Sequence, residues 1–131
     1  MKAIAITAAA RNGSNLDFLR DIDIDKPVAS GHDLLVQVNA ISVNPVDTKV
    51  RAGFDADEPR ILGWDAVGVV TEGGDAVTLF APGDTVWYAG ALTRPGSNAE
   101  YQLVDERIVA HKPASLDNAS AAALPLTTLT A

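Results

Sequence analysis

The chain has 131 residues, 47% hydrophobic and 21% charged, a composition that suits one globular domain. Its formal net charge of −7 opposes binding to nucleic acid, and the absence of cysteine excludes disulfides and every thiolate zinc site. No apolar run approaches the roughly 18 residues of a membrane span, and "MKAIAITAAARNGS" is too short and too interrupted for a signal sequence, so the expectation is a cytoplasmic protein with no membrane partner.

In chain order, the alternation of Lys2–Ala8 predicts a first strand, and "RNGSN" supplies a turn. "FLRDIDIDKP" predicts a strand with its acids toward water, closed by Pro27. "DLLVQVNAISV" is a third strand, rich in Val and Ile. Pro45 suits the first position of a helix, with Asn44 as its N-cap and Gly53 as its end. "FDADEPR" reads as a polar loop. "AVGVVTE" is nearly all apolar, as a strand buried on both faces would be. Turns at Gly73-Gly74-Asp75 and Pro82-Gly83-Asp84 precede a strand over Thr85–Ala89. "ALTRPGSN" is a loop, "AEYQLVDERIVAH" holds one or two strands, and Ser115 or Asp117 caps a final helix. Short strands punctuated by Gly and Pro predict an irregular, mainly β barrel or packed sheets with short helices. The chain stops inside "AAALPLTTLTA" without a helix stop signal, and so reads as part of a longer protein.

Several motif lookalikes fail on inspection. "DIDIDK" imitates a calcium loop, but the position needing Gly holds Lys26 and the position needing Glu holds His32, so it reads as a solvated edge strand. His32 and His111 are far apart with no third soft ligand, and read as surface or hydrogen-bonded histidines. The chain contains no G-x-G-x-x-G, no G-x-x-x-x-G-K-[ST] and no G-x-S-x-G.

Five segments in order carry a resemblance: "ISVNPVDTKVRAG", "PRILGWDAVGVV", "FAPGDTVWYAG", "RPGSNAEYQLVDERIVAHKP" and "AAALPLTTLTA". Together they resemble the GroES-like N-terminal domain of the medium-chain dehydrogenase/reductase superfamily, in its zinc-type alcohol dehydrogenase-like and quinone oxidoreductase branch. The resemblance implies a GroES-like irregular β-barrel over 1–131, cut in the connecting helix before a Rossmann domain. It implies NADPH as cofactor, held mainly by that second domain, a small quinone or enone as substrate, and a homodimeric full-length parent.

In zinc-dependent relatives a cysteine and a Gly-His-Glu supply ligands. The matching positions here are Asn44 and Gly63-Trp64-Asp65, and neither Asn nor Trp replaces thiolate or imidazole. The expectation is therefore a zinc-free site in which Trp64 fills the vacated pocket and walls the substrate cleft. Asn44 matches an asparagine that faces the nicotinamide, and its amide suits a carboxamide or a carbonyl, an ordinary N-cap being the alternative. Asp65 orients a neighbour or caps the strand entry. Lys49, at a position aromatic in some relatives, reads as solvated. Thr130 matches a threonine near the cofactor and shares a helical face with Thr127, with connector packing around Pro125 as the alternative. Trp87 and Tyr88 read as core or cleft wall. The leading function is the substrate side of a zinc-independent quinone or enone reductase. An alcohol dehydrogenase or enoyl reductase is the alternative within the superfamily, and a stand-alone GroES-like binding module the alternative outside it.

Overall fold

The computed structural model describes residues 1–7, 19–52 and 58–131. The predicted "RNGSN" turn, the predicted helix end at Gly53 and most of the "FDADEPR" loop lie outside them. Among the described residues no helix is long and apolar enough to cross a membrane.

The described residues form eight strands and three short helices in the order β1 (Lys2–Ile6), β2 (Leu19–Asp23), β3 (Asp33–Ser42), α1 (Pro45–Ala52), β4 (Arg60–Ile61), β5 (Asp65–Gly73), β6 (Thr85–Ala89), β7 (Tyr101–Asp105), β8 (Val109–His111), α2 (Asn118–Ala122) and α3 (Pro125–Thr130). They form two antiparallel sheets. The larger runs β7-β3-β5-β6-β8 and the smaller β2-β1-β4. The expected mainly β architecture holds. β2 is an edge strand with Asp21 and Asp23 in solvent, as the discarded calcium-like pattern required.

The run "YQLVDERIVAH" forms two strands parted by a 3-10 turn over Glu106–Ile108, within the one or two expected. Two local outcomes differ from expectation. Arg60, assigned to a loop, pairs with Ile6 in β4. The single final helix is two: Asp117 caps α2 by accepting from the Ser120 N–H, and Pro125, which has no N–H to donate, starts α3 afresh.

The main core lies within the larger sheet, where Leu34, Val36, Ala66, Val70, Val86, Tyr88 and Val104 pack together. β3 and β5 approach so closely at Gly68 that an added Cβ would stand 2.3 Å from the Gln37 carbonyl oxygen. No side chain fits there, which is why the most apolar strand carries a glycine. β5 is buried on both faces over its first half, as its unbroken apolar run predicted. α2 covers the sheet by seating Ala121 and Ala122 against Val67. Tyr88 is wholly buried, its hydroxyl donating to Gln102 Oε1 at 2.8 Å, and burial raises its pKa.

Glu106 clamps the end of the barrel opposite the helices. Only 1% exposed, it accepts from the Thr78 and Leu79 N–H groups at 3.0 and 2.8 Å and from His32 Nδ1 at 2.8 Å. Those bonds, the one to His32 foremost, hold its carboxyl below the usual range. A carboxylate whose pKa is lowered by folding contributes stability above its unfolded value, and that contribution is lost as pH falls through the folded value. The Glu106→Gln variant should therefore melt lower than wild type at pH 7. The difference should shrink as pH drops below about 4.3, the unfolded glutamate value. Thermal melts of both proteins from pH 7 to pH 3 check this, and a pH-independent difference would contradict it.

Candidate functional site

The sequence "ILGWD" makes a bend before it enters β5. Gly63 has φ of +106°, and an added Cβ would lie 2.4 Å from Ser97 Oγ. Only glycine meets both demands. The stretch on either side is held by its backbone: Gly96, Ser97 and Asn98 donate to the carbonyls of Ile61, Gly63 and Leu62, and Gly90 donates to that of Trp64. The bend sends Trp64 inward and delivers Asp65 to the end of the sheet, where it pairs with Ser42 of β3 and Ala89 of β6.

Asp65 is fully buried at 0% exposure. Its Oδ2 accepts from Asn44 Nδ2 at 2.7 Å, and its Oδ1 accepts from the Leu126 N–H at 2.7 Å. The second bond is a helix cap supplied from another element. Leu124, at the cap position of α3, offers no side-chain oxygen and Pro125 has no N–H, so Leu126 carries the first free donor of the helix. Of the two roles expected for Asp65, the geometry is that of orienting a neighbour.

Asn44 is 7% exposed. The expected side-chain cap is not formed. Its own N–H donates to Asp47 Oδ2 at 2.9 Å, as in the returning half of a capping box, while its side chain donates to Asp65 and, at 3.4 Å, to the Ser42 carbonyl. A buried carboxylate competes better for the amide than the partly solvated helix start does. Lys49 is exposed on α1, as expected.

Trp64 departs from expectation. It borders neither of two surface cavities, of about 460 and 850 Å3, and is 1% exposed. It packs with Ile6 and Leu62, and Val46 and Val50 of α1 lie against that cluster. The physical reason is area: an indole at the joint of two sheets and a helix buries more apolar surface inward than it could in a wet cleft. Its Nε1 hydrogen finds no partner among the described residues. Trp87, the other tryptophan, is half-buried against the Val67, Ala121 and Ala122 cluster.

Thr127 and Thr130 lie exposed on α3. Each hydroxyl donates to its own helix, Thr127 to the Ala123 and Leu124 carbonyls and Thr130 to the Leu126 carbonyl at 2.9 Å. Their donors are thus occupied, and their oxygens remain acceptors. The fold brings Asn44, Asp65 and the first turn of α3 into direct contact, and does not hydrogen-bond either threonine to them. Sequence reasoning missed Leu126, whose one signal is its place just after a helix-starting proline, and Ser97, whose place beneath the bend has no local signal.

The donor set does not suit a zinc ion. An indole N–H has no free lone pair and the Asn44 amide nitrogen is a donor, which leaves Asp65 as the one anionic donor of the three. Among the described residues no three His, Asp or Glu side chains group as a metal site.

Two antiparallel sheets thus carry, at the head of β5, a buried carboxylate bonded to the turn after β3 and to the first turn of α3. Residues 30–114 match the alcohol dehydrogenase GroES-like domain, and the chain belongs to that family within the medium-chain dehydrogenase/reductase superfamily. It is 48% identical to a zinc-type alcohol dehydrogenase-like protein of Staphylococcus epidermidis, over 100% of this chain and 39% of that protein. A candidate zinc-dependent alcohol dehydrogenase from Rhizobium etli CFN 42 superposes with a TM-score of 0.91 at 52% identity, over 99% of this chain and 38% of that one. The Escherichia coli quinone oxidoreductase complexed with NADPH superposes at 0.86 with 26% identity, over 99% and 39%. The chain spans about two fifths of the length of such relatives.

Trp64 sets a prediction for stability. Trp64→Ala should cost roughly 3–5 kcal/mol, the range for emptying an aromatic core position. Trp64→Phe should cost far less, because it also removes an unpaired buried N–H worth about 1–3 kcal/mol. Urea denaturation of the two variants measures both, and equal losses would mean that the indole N–H is satisfied.

Proposed function

We propose that this chain is the substrate-side domain of a longer, cytoplasmic, two-domain NAD(P)H-dependent oxidoreductase that reduces quinones or enones without zinc. The single observation that carries the reading is that Asn44, at the position the resemblance matches to a cysteine ligand, is a neutral amide hydrogen-bonded to Asp65. Trp64, at the position matched to an imidazole, offers a metal no lone pair. The names of several relatives favour the alcohol dehydrogenase alternative; the donor chemistry of Asn44, Trp64 and Asp65 weighs against it. NADPH in a structural neighbour and the two-fifths coverage support a cofactor carried mainly by a second domain, through which a homodimer would also form.

The residues present suit only the nicotinamide end of such a cofactor, since the sequence encodes no glycine-rich phosphate cradle. Asn44 would meet that end, with Thr127 and Thr130 beside it on α3. When bound, the cofactor supplies a hydride, and the protein supplies orientation and electrostatics. Negative charge that develops on a substrate oxygen needs a hydrogen-bond donor. The threonine hydroxyls are committed to their own helix, which leaves the exposed Lys49 ammonium or a water molecule for that task.

The complete protein should oxidise NADPH with quinones or α,β-unsaturated ketones, keep its rate in a strong chelator, and contain less than stoichiometric zinc by elemental analysis. One tightly held zinc per chain, with activity lost on its removal, would sink the proposal. The 131-residue chain by itself should show no micromolar NADPH binding by calorimetric titration, because a few contacts to one end of a dinucleotide do not offset the entropy of binding it.

A further inference from the structure

Asn44 is the side chain of the site whose chemistry depends on which way round it sits. A carboxamide has a donor end and an acceptor end, so a half-turn reverses what it offers to anything placed against it. Here the half-turn is not free. Asp65 Oδ2, 2.7 Å away, and the Ser42 carbonyl, 3.4 Å away, are both acceptors, and both require the NH2 end. Asp65 cannot turn to relieve this, because its other oxygen is held by the Leu126 N–H and the residue is sealed from water. No donor among the described residues meets Asn44 Oδ1. The assignment therefore follows from the partners' chemistry, independently of how oxygen and nitrogen are told apart by shape.

We infer that Asp65 is a positioning residue that sets the polarity of the site. It holds Asn44 with Oδ1 outward, so the site selects a ligand group that donates a hydrogen bond, such as the N–H of a carboxamide, over one that only accepts. The choice of ligand rests on the reading above, in which Asn44 meets the nicotinamide end of the cofactor. Asn44 is accordingly an anchor for the cofactor and not the donor that meets negative charge on a substrate oxygen. The same carboxylate caps α3, so the orientation of the amide and the seat of the helix that follows are coupled through one group.

Substitution separates polarity from folding. In Asp65→Asn the new amide must still give its oxygen to the Leu126 N–H, and so turns its NH2 toward Asn44. Asn44 then turns over to accept, and its own NH2 faces outward. The bonds between residues 44 and 65 and to the Leu126 N–H survive, the long one to the Ser42 carbonyl is lost, and the polarity of the site inverts. In the double variant Asn44→Asp with Asp65→Asn, the new amide donates to the new carboxylate, and an acceptor faces outward again.

Two measurements test this. In the 131-residue chain, the Asn44 side-chain amide protons, followed by 15N NMR, should exchange slowly with solvent. In Asp65→Asn they should exchange at least about tenfold faster, as a protected amide becomes a solvated one. In the complete protein, fluorescence titration compares NADPH with its 3-acetylpyridine analogue, which keeps the carbonyl but has no N–H. Wild type should bind NADPH about tenfold tighter, the equivalent of about 1.4 kcal/mol. Asp65→Asn should lose that preference and the double variant regain it. The inference is overturned if Asp65→Asn changes neither amide exchange nor preference, or if the double variant melts like wild type yet does not recover the preference. If exchange responds as expected but wild type itself does not distinguish the two cofactors, the orientation of Asn44 stands and the nicotinamide reading falls.

Discussion

The carboxyl group of Asp65 is the point on which the helical end of this domain depends. It is sealed from solvent and bonded on one oxygen to the turn after β3 and on the other to the first free N–H of α3. A buried carboxylate is tolerated only with its hydrogen bonds made, and leaving such a buried group unsatisfied costs about 1–3 kcal/mol or more. Three elements distant in sequence are thereby obliged to meet at one place. The strand carrying the group is the one most deeply enclosed, so the acid moves little and its partners are held in turn.

The neighbouring tryptophan makes that placement possible. Gly63 bends the chain in a conformation that other residues adopt only under strain. Trp64 then turns into the joint between Ile6, Leu62 and the inner face of α1, and Asp65 faces the other way. The apolar anchor and the polar tie are adjacent residues on opposite sides of one strand, which is the elementary period of β structure. The indole fills space at this joint, and the polar contacts pass to an amide and a carboxylate.

At the far end of the barrel a second buried acid does comparable work. Glu106 gathers two N–H groups of the 78–79 loop and the His32 ring. Beside it Asp33 holds Arg94 through two bonds of 2.8 Å, which fixes the 91–98 loop to β3. The domain is therefore pinned at both ends by acids that accept from backbone N–H groups, the Asn44 amide, the His32 ring and the Arg94 guanidinium. Its apolar core lies between, and its excess negative charge is carried mostly on surfaces such as the edge strand β2.

Much of this was legible in the sequence. Period-two alternation located β1 and β2, Val and Ile located β3, an unbroken apolar run located β5, glycine and proline located turns, and Ser115 or Asp117 announced a cap that Asp117 makes, because each of these depends on residues within a few positions of one another. The exclusion of thiolate zinc ligands followed from composition alone. What the sequence could not decide was direction and partnership. Whether Trp64 faces a cleft or the core depends on a bend at Gly63 that is enforced by Ser97, and whether Asn44 caps its helix or serves Asp65 depends on a carboxylate 21 positions away. Glu106 read as an ordinary strand residue because its three partners come from two other segments. Local pattern determined the elements. Tertiary structure alone decided which buried acid met which donor, because a buried charge takes its partners from whatever the fold brings within hydrogen-bond reach, at any separation along the chain.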